Sequence, residues 1–471
     1  MKYIFSCIIL LFSTLSLFSQ EKWDLERCVS YALENNLTVK QNALSVEGNQ
    51  SDLKQSRIGL FPTLNGNAGY SVNFGRGIDP QTNTFVTQTI NASNLGLSSS
   101  MILFNGFQQV NTIKQRQLQL LAGESNLQQI KDQVLLSVVN GFLQVLYTKE
   151  LMAVSQNALA LSQLQLNRSQ ALEKVGSITR GDVLEIEAQL AQEELSLTMA
   201  ENNYDLAKLN LTQLLDLDPN QPFEIEVPAL TISEAVKNYA PTEVFTRALE
   251  INPLVKQSEY NLLIAERAEK ITKGGLAPRL TLSGGLNTGY SDGRVQVAKL
   301  TPESQQIGYV NDGSRTAVFQ DFFVPTFETT SFSNQITENL GQNIGISLFL
   351  PIFNGYQTRN QISKAKINRQ VADLNLQITQ NNLEKTINQL IADRKAAKKR
   401  YTASSNSFNS LREAFKYNEE KFKVGLINSV DYNISKTSLA RSENTLLQAK
   451  FDLIFQTKIL DYYMGQPITI K

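Results

Sequence analysis

Leu103-Phe104-Asn105-Gly106-Phe107 and Ile352-Phe353-Asn354-Gly355-Tyr356 are one junction written twice, 249 positions apart. In each copy a stretch that alternates apolar with small polar residues gives way to a long run without proline. The same offset carries Val175-Gly176 to Val424-Gly425 and Asp182 to Asp431. Upstream, Ala32-Leu33-Glu34 and Pro62 recur 216 positions later as Ala248-Leu249-Glu250 and Pro278, so the second copy holds 33 extra residues before its junction. Repeats of about 20–50 residues build solenoids. A duplicated unit of roughly 200 residues instead predicts two similar halves related by an internal two-fold repeat.

Four segments ahead of the junctions switch sides with period two, the pattern of a strand. In 64–74, Leu64, Ala68, Tyr70, Val72 and Phe74 oppose Asn65, Asn67, Gly69, Ser71 and Asn73. In 94–103, Leu95, Leu97, Met101 and Leu103 oppose Asn94, Ser98 and Ser100. Segments 280–290 and 340–350 repeat the pattern, with Leu282 and Leu286 opposing Ser283 and Asn287, and Ile344 and Ile346 opposing Asn343 and Ser347. About ten residues cross a bilayer when the strand is tilted. The polar faces are nearly free of charge, which suits a watery lumen next to lipid better than the wet face of a soluble sheet. Four strands are too few to close a barrel, for which about eight is the practical minimum. An open edge is not tolerated in lipid. Several chains must therefore share one barrel, and three copies would give an even twelve strands.

The runs after the junctions predict long helices. No proline occurs between Pro80 and Pro219 or between Pro351 and Pro467. Ile113, Leu120, Leu127 and Val134 recur at seven, and Leu374, Ile378, Leu383, Ile387 and Leu390 at near-helical steps, both coiled-coil-like stripes. Each run is broken once, at Val175-Gly176-Ser177-Ile178-Thr179 and at Val424-Gly425-Leu426-Ile427-Asn428. Glycine ends helices, and Thr179 or Asn428 can cap the next one. Helical hairpins are expected over 107–215 and 356–464, each with a first helix ~100 Å long. Shorter helices are expected at 25–35, 37–60, 232–251 and 253–273. A proline-marked linker, 216–231, separates a first repeat (21–215) from a second (232–471). The surplus residues, 291–338, read as a phenylalanine-rich loop facing outside the cell.

Composition excludes most chemistry. The chain has no histidine, and Lys+Arg and Asp+Glu both total 44. A Ser-His-Asp triad and His-ligated metal are ruled out. Nothing argues for nucleic acid, and no phosphate or dinucleotide loop is present. The chain reads as no enzyme, with no cofactor and no metal. Residues 1–20, with Lys2 and an apolar run to Phe18, read as a secretory signal peptide. No later apolar run approaches a membrane-spanning helix.

The duplicated strand–strand–hairpin plan, the Phe-Asn-Gly junctions, the Val-Gly turns and the start Trp23-Asp24-Leu25-Glu26-Arg27-Cys28 resemble the TolC family of outer-membrane efflux and secretion ducts. The stretch Phe74-Gly75-Arg76-Gly77-Ile78-Asp79-Pro80 is similar to Bacteroidetes members. The resemblance implies an α+β membrane protein: a homotrimer with a twelve-stranded barrel in outer-membrane lipid, continued by an α-helical coiled-coil barrel in the periplasm. It implies docking to a periplasmic adaptor and an inner-membrane transporter, in efflux or type I secretion. It places the pore constriction at the turns, on Asp431, Asp182 and Glu185, with Val175, Gly176, Val424 and Gly425 touching the adaptor. Ile434 stands where a second carboxylate is usual, and Ile427 where a basic residue is, so the closing network is altered. The rival reading is a trimeric coiled-coil or adhesin-like protein anchored by a barrel; strands in both copies favour the duct.

Overall fold

The computed structural model describes residues 22–78, 85–218, 222–228, 239–311 and 313–468. The expected signal segment, and residues 219–221 and 229–238 of the expected linker and helix, lie outside them. The described elements run α1 Leu25–Asn35, α2 Leu37–Ile58, β1 Thr63–Ile78, β2 Phe85–Asn105, α3 Gln108–Lys174 and α4 Arg180–Leu214. They continue α5 Pro241–Ile251, α6 Pro253–Gly274, β3 Arg279–Ser291, β4 Val295–Tyr309, β5 Ala317–Thr329, α7 Phe332–Glu338, β6 Gly341–Phe349, α8 Gln357–Lys423 and α9 Ser429–Tyr463. The chain divides into two compact units, one of residues 1–50, 118–264 and 370–471, the other of 51–117 and 265–369. Each unit draws on both halves of the sequence.

The first unit is helical, and its core repeats the duplication. Cys28 and Ala32 of α1 are fully buried against Val138, Val139, Phe142 and Leu211 of the first hairpin. Their counterparts Val244 and Ala248 of α5 are fully buried against Ile387 and Leu460 of the second. Cys28 thus does the work of a small apolar side chain, and burial pushes its thiol up to about 12. Residues 222–228, expected in the linker, pack inward instead. Phe223 and Ile225 are buried, and Ile225 bridges to Trp23 in a short parallel pairing. The flanking prolines mask a two-residue alternation there.

The second unit holds an antiparallel sheet of order β1-β2-β3-β6. β1 pairs only with β2 and β6 only with β3, so both outer edges are unpaired within the chain. β2 reaches well beyond 94–103, and β1 runs past 74 to Ile78. The surplus 291–338 is not a loop. It forms the hairpin β4–β5 and the short helix α7. At the junctions Gly106, Phe107, Gly355 and Tyr356 all take positive φ, 61–67°. Two left-handed residues in succession turn a strand end sharply into a helix. For Phe107 and Tyr356 this carries a strain of about 1–3 kcal/mol each.

Candidate functional site: the paired helical turns and the two-faced sheet

Two 67-residue helices, α3 and α8, each reverse into a 35-residue return. Both reversals use the same local geometry. Gly176 and Gly425 sit at φ 71° and 80°, the left-handed region that glycine enters without penalty. Ser177 N donates to Leu172 O at 2.9 Å and Gly176 N to Glu173 O at 2.8 Å. Leu426 N donates to Lys421 O at 2.8 Å and Gly425 N to Phe422 O at 3.1 Å. This is the Schellman arrangement, which satisfies the last carbonyls of a helix. It leaves apolar side chains in water: Val175 is 75%, Val424 69% and Leu426 73% exposed.

The return helices start on side-chain caps. Thr179 accepts from Asp182 N at 3.2 Å, and Asp182 accepts from Thr179 N at 2.9 Å and from its hydroxyl at 2.8 Å, a full capping box. The Thr179 amide, its hydroxyl and the Ser429 hydroxyl hold the Asp182 carboxyl below the ordinary aspartate value. In the second copy Asn428 accepts from Asp431 N at 2.8 Å, and Asp431 lies exposed in the first turn of α9. The two acids at matching positions therefore differ: one carboxylate is tied to the backbone, while the other's side chain is not part of the cap. Glu185 accepts from Ser429 Oγ at 2.9 Å. Its counterpart Ile434 is 61% exposed.

Two further contacts bind the hairpins together, and a third closes the second hairpin on itself. Arg168 Nη2 on α3 donates to Lys423 O at the end of α8, 3.1 Å away, where helix carbonyls lack partners. Lys436 on α9 is buried; its ammonium donates to Ser162 Oγ and to Ala158 O at 3.3 Å, and lies 3.4 Å from Glu193. Desolvation holds it below the ordinary lysine value, against the pull of Glu193. Tyr432 is buried with its ring stacked 4.6 Å from Phe422. Between α4 and α9 a groove of about 590 Å³ is lined by Glu185, Gln189, Val430, Ile434 and Arg441. None of Ser429, Lys436 or Arg168 is marked in the sequence, because each acts across more than two hundred residues.

In the second unit the register sorts the strands onto two faces. Leu64, Ala68, Tyr70, Leu95, Leu97, Met101, Leu282, Leu286, Ile344, Ile346 and Leu348 share one. The opposite face is built in rows that alternate asparagine with small residues. One row is Asn67–Gly96–Asn287–Gly341, the next Gly69–Asn94–Gly289, another Asn65–Ser98–Gly285–Asn343. The amides lie flat over the neighbouring glycines: a Cβ on Gly96 would come within 2.7 Å of Asn67 Oδ1 and 2.9 Å of Asn287 Oδ1. One face is fit for hydrocarbon and the other for water, with no charge in these rows. Among the described residues, no helix is long and apolar enough to cross a membrane. A lipid-facing sheet meets the same need by a different route.

The sequence profile of outer membrane efflux proteins matches residues 28–216 and 244–465, one block in each repeat. The chain belongs to the outer membrane efflux protein family. The outer membrane efflux protein BepC of Brucella suis biovar 1 (strain 1330) is 21% identical over 425 residues, 90% of this chain and 81% of BepC. Among solved structures, CusC superposes with TM-score 0.76 at 16% identity, over 96% of each chain. The outer membrane protein VceC of Vibrio cholerae gives 0.73 at 15% identity, over 94% of this chain and 97% of VceC. The outer membrane channel MtrE of Neisseria gonorrhoeae, in its open state, gives 0.72 at 18% identity, over 94% and 89%. This efflux protein is therefore a TolC-like outer-membrane channel reaching into the periplasm, and a passive conduit, not an enzyme.

Proposed function

We propose that three copies of this efflux protein close a twelve-stranded barrel and a helical tube, forming the exit duct of a tripartite efflux or type I secretion system. The observation that carries this reading is the sheet of four antiparallel strands with both outer edges unpaired and one apolar face. Such a sheet is stable in lipid only when its edges meet those of further copies. The α8 stripe supports the same stoichiometric logic. Leu383 and Ile387 are buried by the chain's own α5, whereas Val371, Leu374 and Ile378 of that stripe are about half exposed. A heptad face left open in one chain is a seam for another.

In this duct the first twenty residues direct export and are removed. The turns form the periplasmic tip. Asp431, repeated three times around the axis, concentrates negative potential at the narrowest point and favours cations. Asp182 and Glu185 set the same tip through the cap and through Ser429. Val175, Gly176, Val424 and Gly425 present the exposed apolar surface on which a periplasmic adaptor sits, itself bound to an inner-membrane transporter. Energy comes from that transporter, since the duct carries no nucleotide loop.

The test is electron microscopy and light scattering of the detergent-extracted mature chain. A three-chain, hollow particle with a barrel at one end is expected. A monomer, or a solid rod, would remove the duct reading.

A further inference from the structure

The upper end of the sheet is uneven. In the row Asn67–Gly96–Asn287–Gly341, β6 begins at Gly341, but β1 continues from Ala68 to Ile78 and β3 to Ser291. Above β6, helix α7 takes its place along the β3 edge. Ser291 N donates to Gln335 Oε1 at 2.9 Å, and Gln335 Nε2 donates to Ser291 O and to Thr330 O at 2.8 Å each. Asn339 Nδ2 donates to Gly289 O at 2.6 Å, and Thr288 Oγ1 to Ile336 O at 2.6 Å. Gln335 is fully buried. These bonds fix α7 as firmly as a strand would be fixed. It leans onto the apolar face, since Thr288 and Tyr290 have the same parity as Leu286, and Phe332 packs 5.3 Å from the Tyr290 ring.

Among the described residues, no strand pairs with the outer edge of the β1 extension. Phe74 and Ile78 lie on the apolar face, 78% and 56% exposed. Arg76, its guanidinium 4.7 Å over the Phe85 ring, is the sole charged residue of β1. On α7 the sole ionisable residue, Glu338, is already paired with Arg294 of its own chain at 3.0 Å, while Phe332 is 55% exposed. Resting on the barrel reading, in which β6 of one copy meets β1 of the next, the column above β6 stands beside the β1 extension. We infer that α7 is a clasp on the Phe74-Gly75-Arg76-Gly77-Ile78 extension of a second copy of this chain. Phe332 and Ile336 cover Phe74 and Ile78. Continuity with the two open edges selects another copy as the occupant over lipid.

The experiment uses the full-length mature chain in detergent with paired cysteines, Phe74→Cys with Asn334→Cys and Ile78→Cys with Asn334→Cys, under a mild oxidant and a short bis-maleimide. The native Cys28 is buried and stays silent. Covalent two- and three-chain bands from the pairs, absent from each single variant, are expected. Phe332→Ser and Phe74→Ser are each expected to lower the temperature at which the trimer dissociates in dodecyl sulfate. A trimeric mass with no ladder from either pair overturns the clasp and leaves the barrel standing. A monomeric mass for the wild-type chain overturns both.

Discussion

Ser429 Oγ donates to Glu185 Oε2 at 2.9 Å across 244 residues of sequence, joining the first turns of two helices that arose as copies of each other. Each hairpin tip is thereby held by its sibling within one chain. Ser429→Ala and Glu185→Gln should each cost about 0.5–1.5 kcal/mol. Together they should cost clearly less than their sum, because they remove one bond. Thermal or denaturant unfolding of the four proteins completes the cycle. Strict additivity would show that the contact carries no energy.

Asp182 and Asp431 should separate functionally. Asp431→Asn is expected to lower cation over anion selectivity in planar bilayers with little change in stability. Asp182→Asn is expected to lower stability modestly by weakening the capping box and to move selectivity little. Equal selectivity losses in both variants would contradict the division of roles.

Acid should loosen the first tip before the second. The Asp182 carboxyl is held below its unfolded value. Its contribution is therefore present above the ordinary aspartate pKa, about 3.9, and disappears as pH falls through the lower folded value. Hydrogen exchange of the α4 first turn at pH ~3 should accelerate relative to the α9 first turn. Asp182→Asn should abolish that difference.

The sheet faces predict opposite responses to one substitution. In the proposed barrel, Leu97→Lys on the apolar face should destabilise the fold by about 2–4 kcal/mol at the bilayer midplane. Asn94→Lys, three positions away on the same strand and therefore on the wet face, should fold normally and shift ion selectivity toward anions. Heat-modifiability on gels reads the first, and reversal potentials the second.

Lys436 should anchor the hairpins. Lys436→Met removes the bonds to Ser162 and Ala158 and leaves Glu193 without its cation. A loss of a few kcal/mol, as for breaking a partly buried pair, should appear as a lower unfolding temperature. Lys436→Met with Glu193→Leu should recover much of it.

What the sequence disclosed was local. The turns at Gly176 and Gly425, the caps at Thr179 and Asn428, and the alternation of Asn65, Asn67 and Gly69 against Leu64 and Ala68 are written within a few residues of where they act. The hairpin β4–β5 was hidden because Pro302 and Pro325 sit inside its strands and bulges break its alternation after Val297 and Gln306. The β1 extension was hidden because glycines flank Arg76. Ser429, Lys436 and Gln335 could not be found by spacing at all, since each is defined by a partner on another element.

The Schellman turns also bear on how such a protein can change. A hairpin of more than a hundred residues is reversed by bonds that span six positions or fewer, from Leu172 to Ser177 and from Lys421 to Leu426. The exposed side chains at Val175, Val424 and Leu426 make no contribution to that reversal. Selection can therefore rewrite the exposed turn residues one by one without renegotiating the fold that carries them.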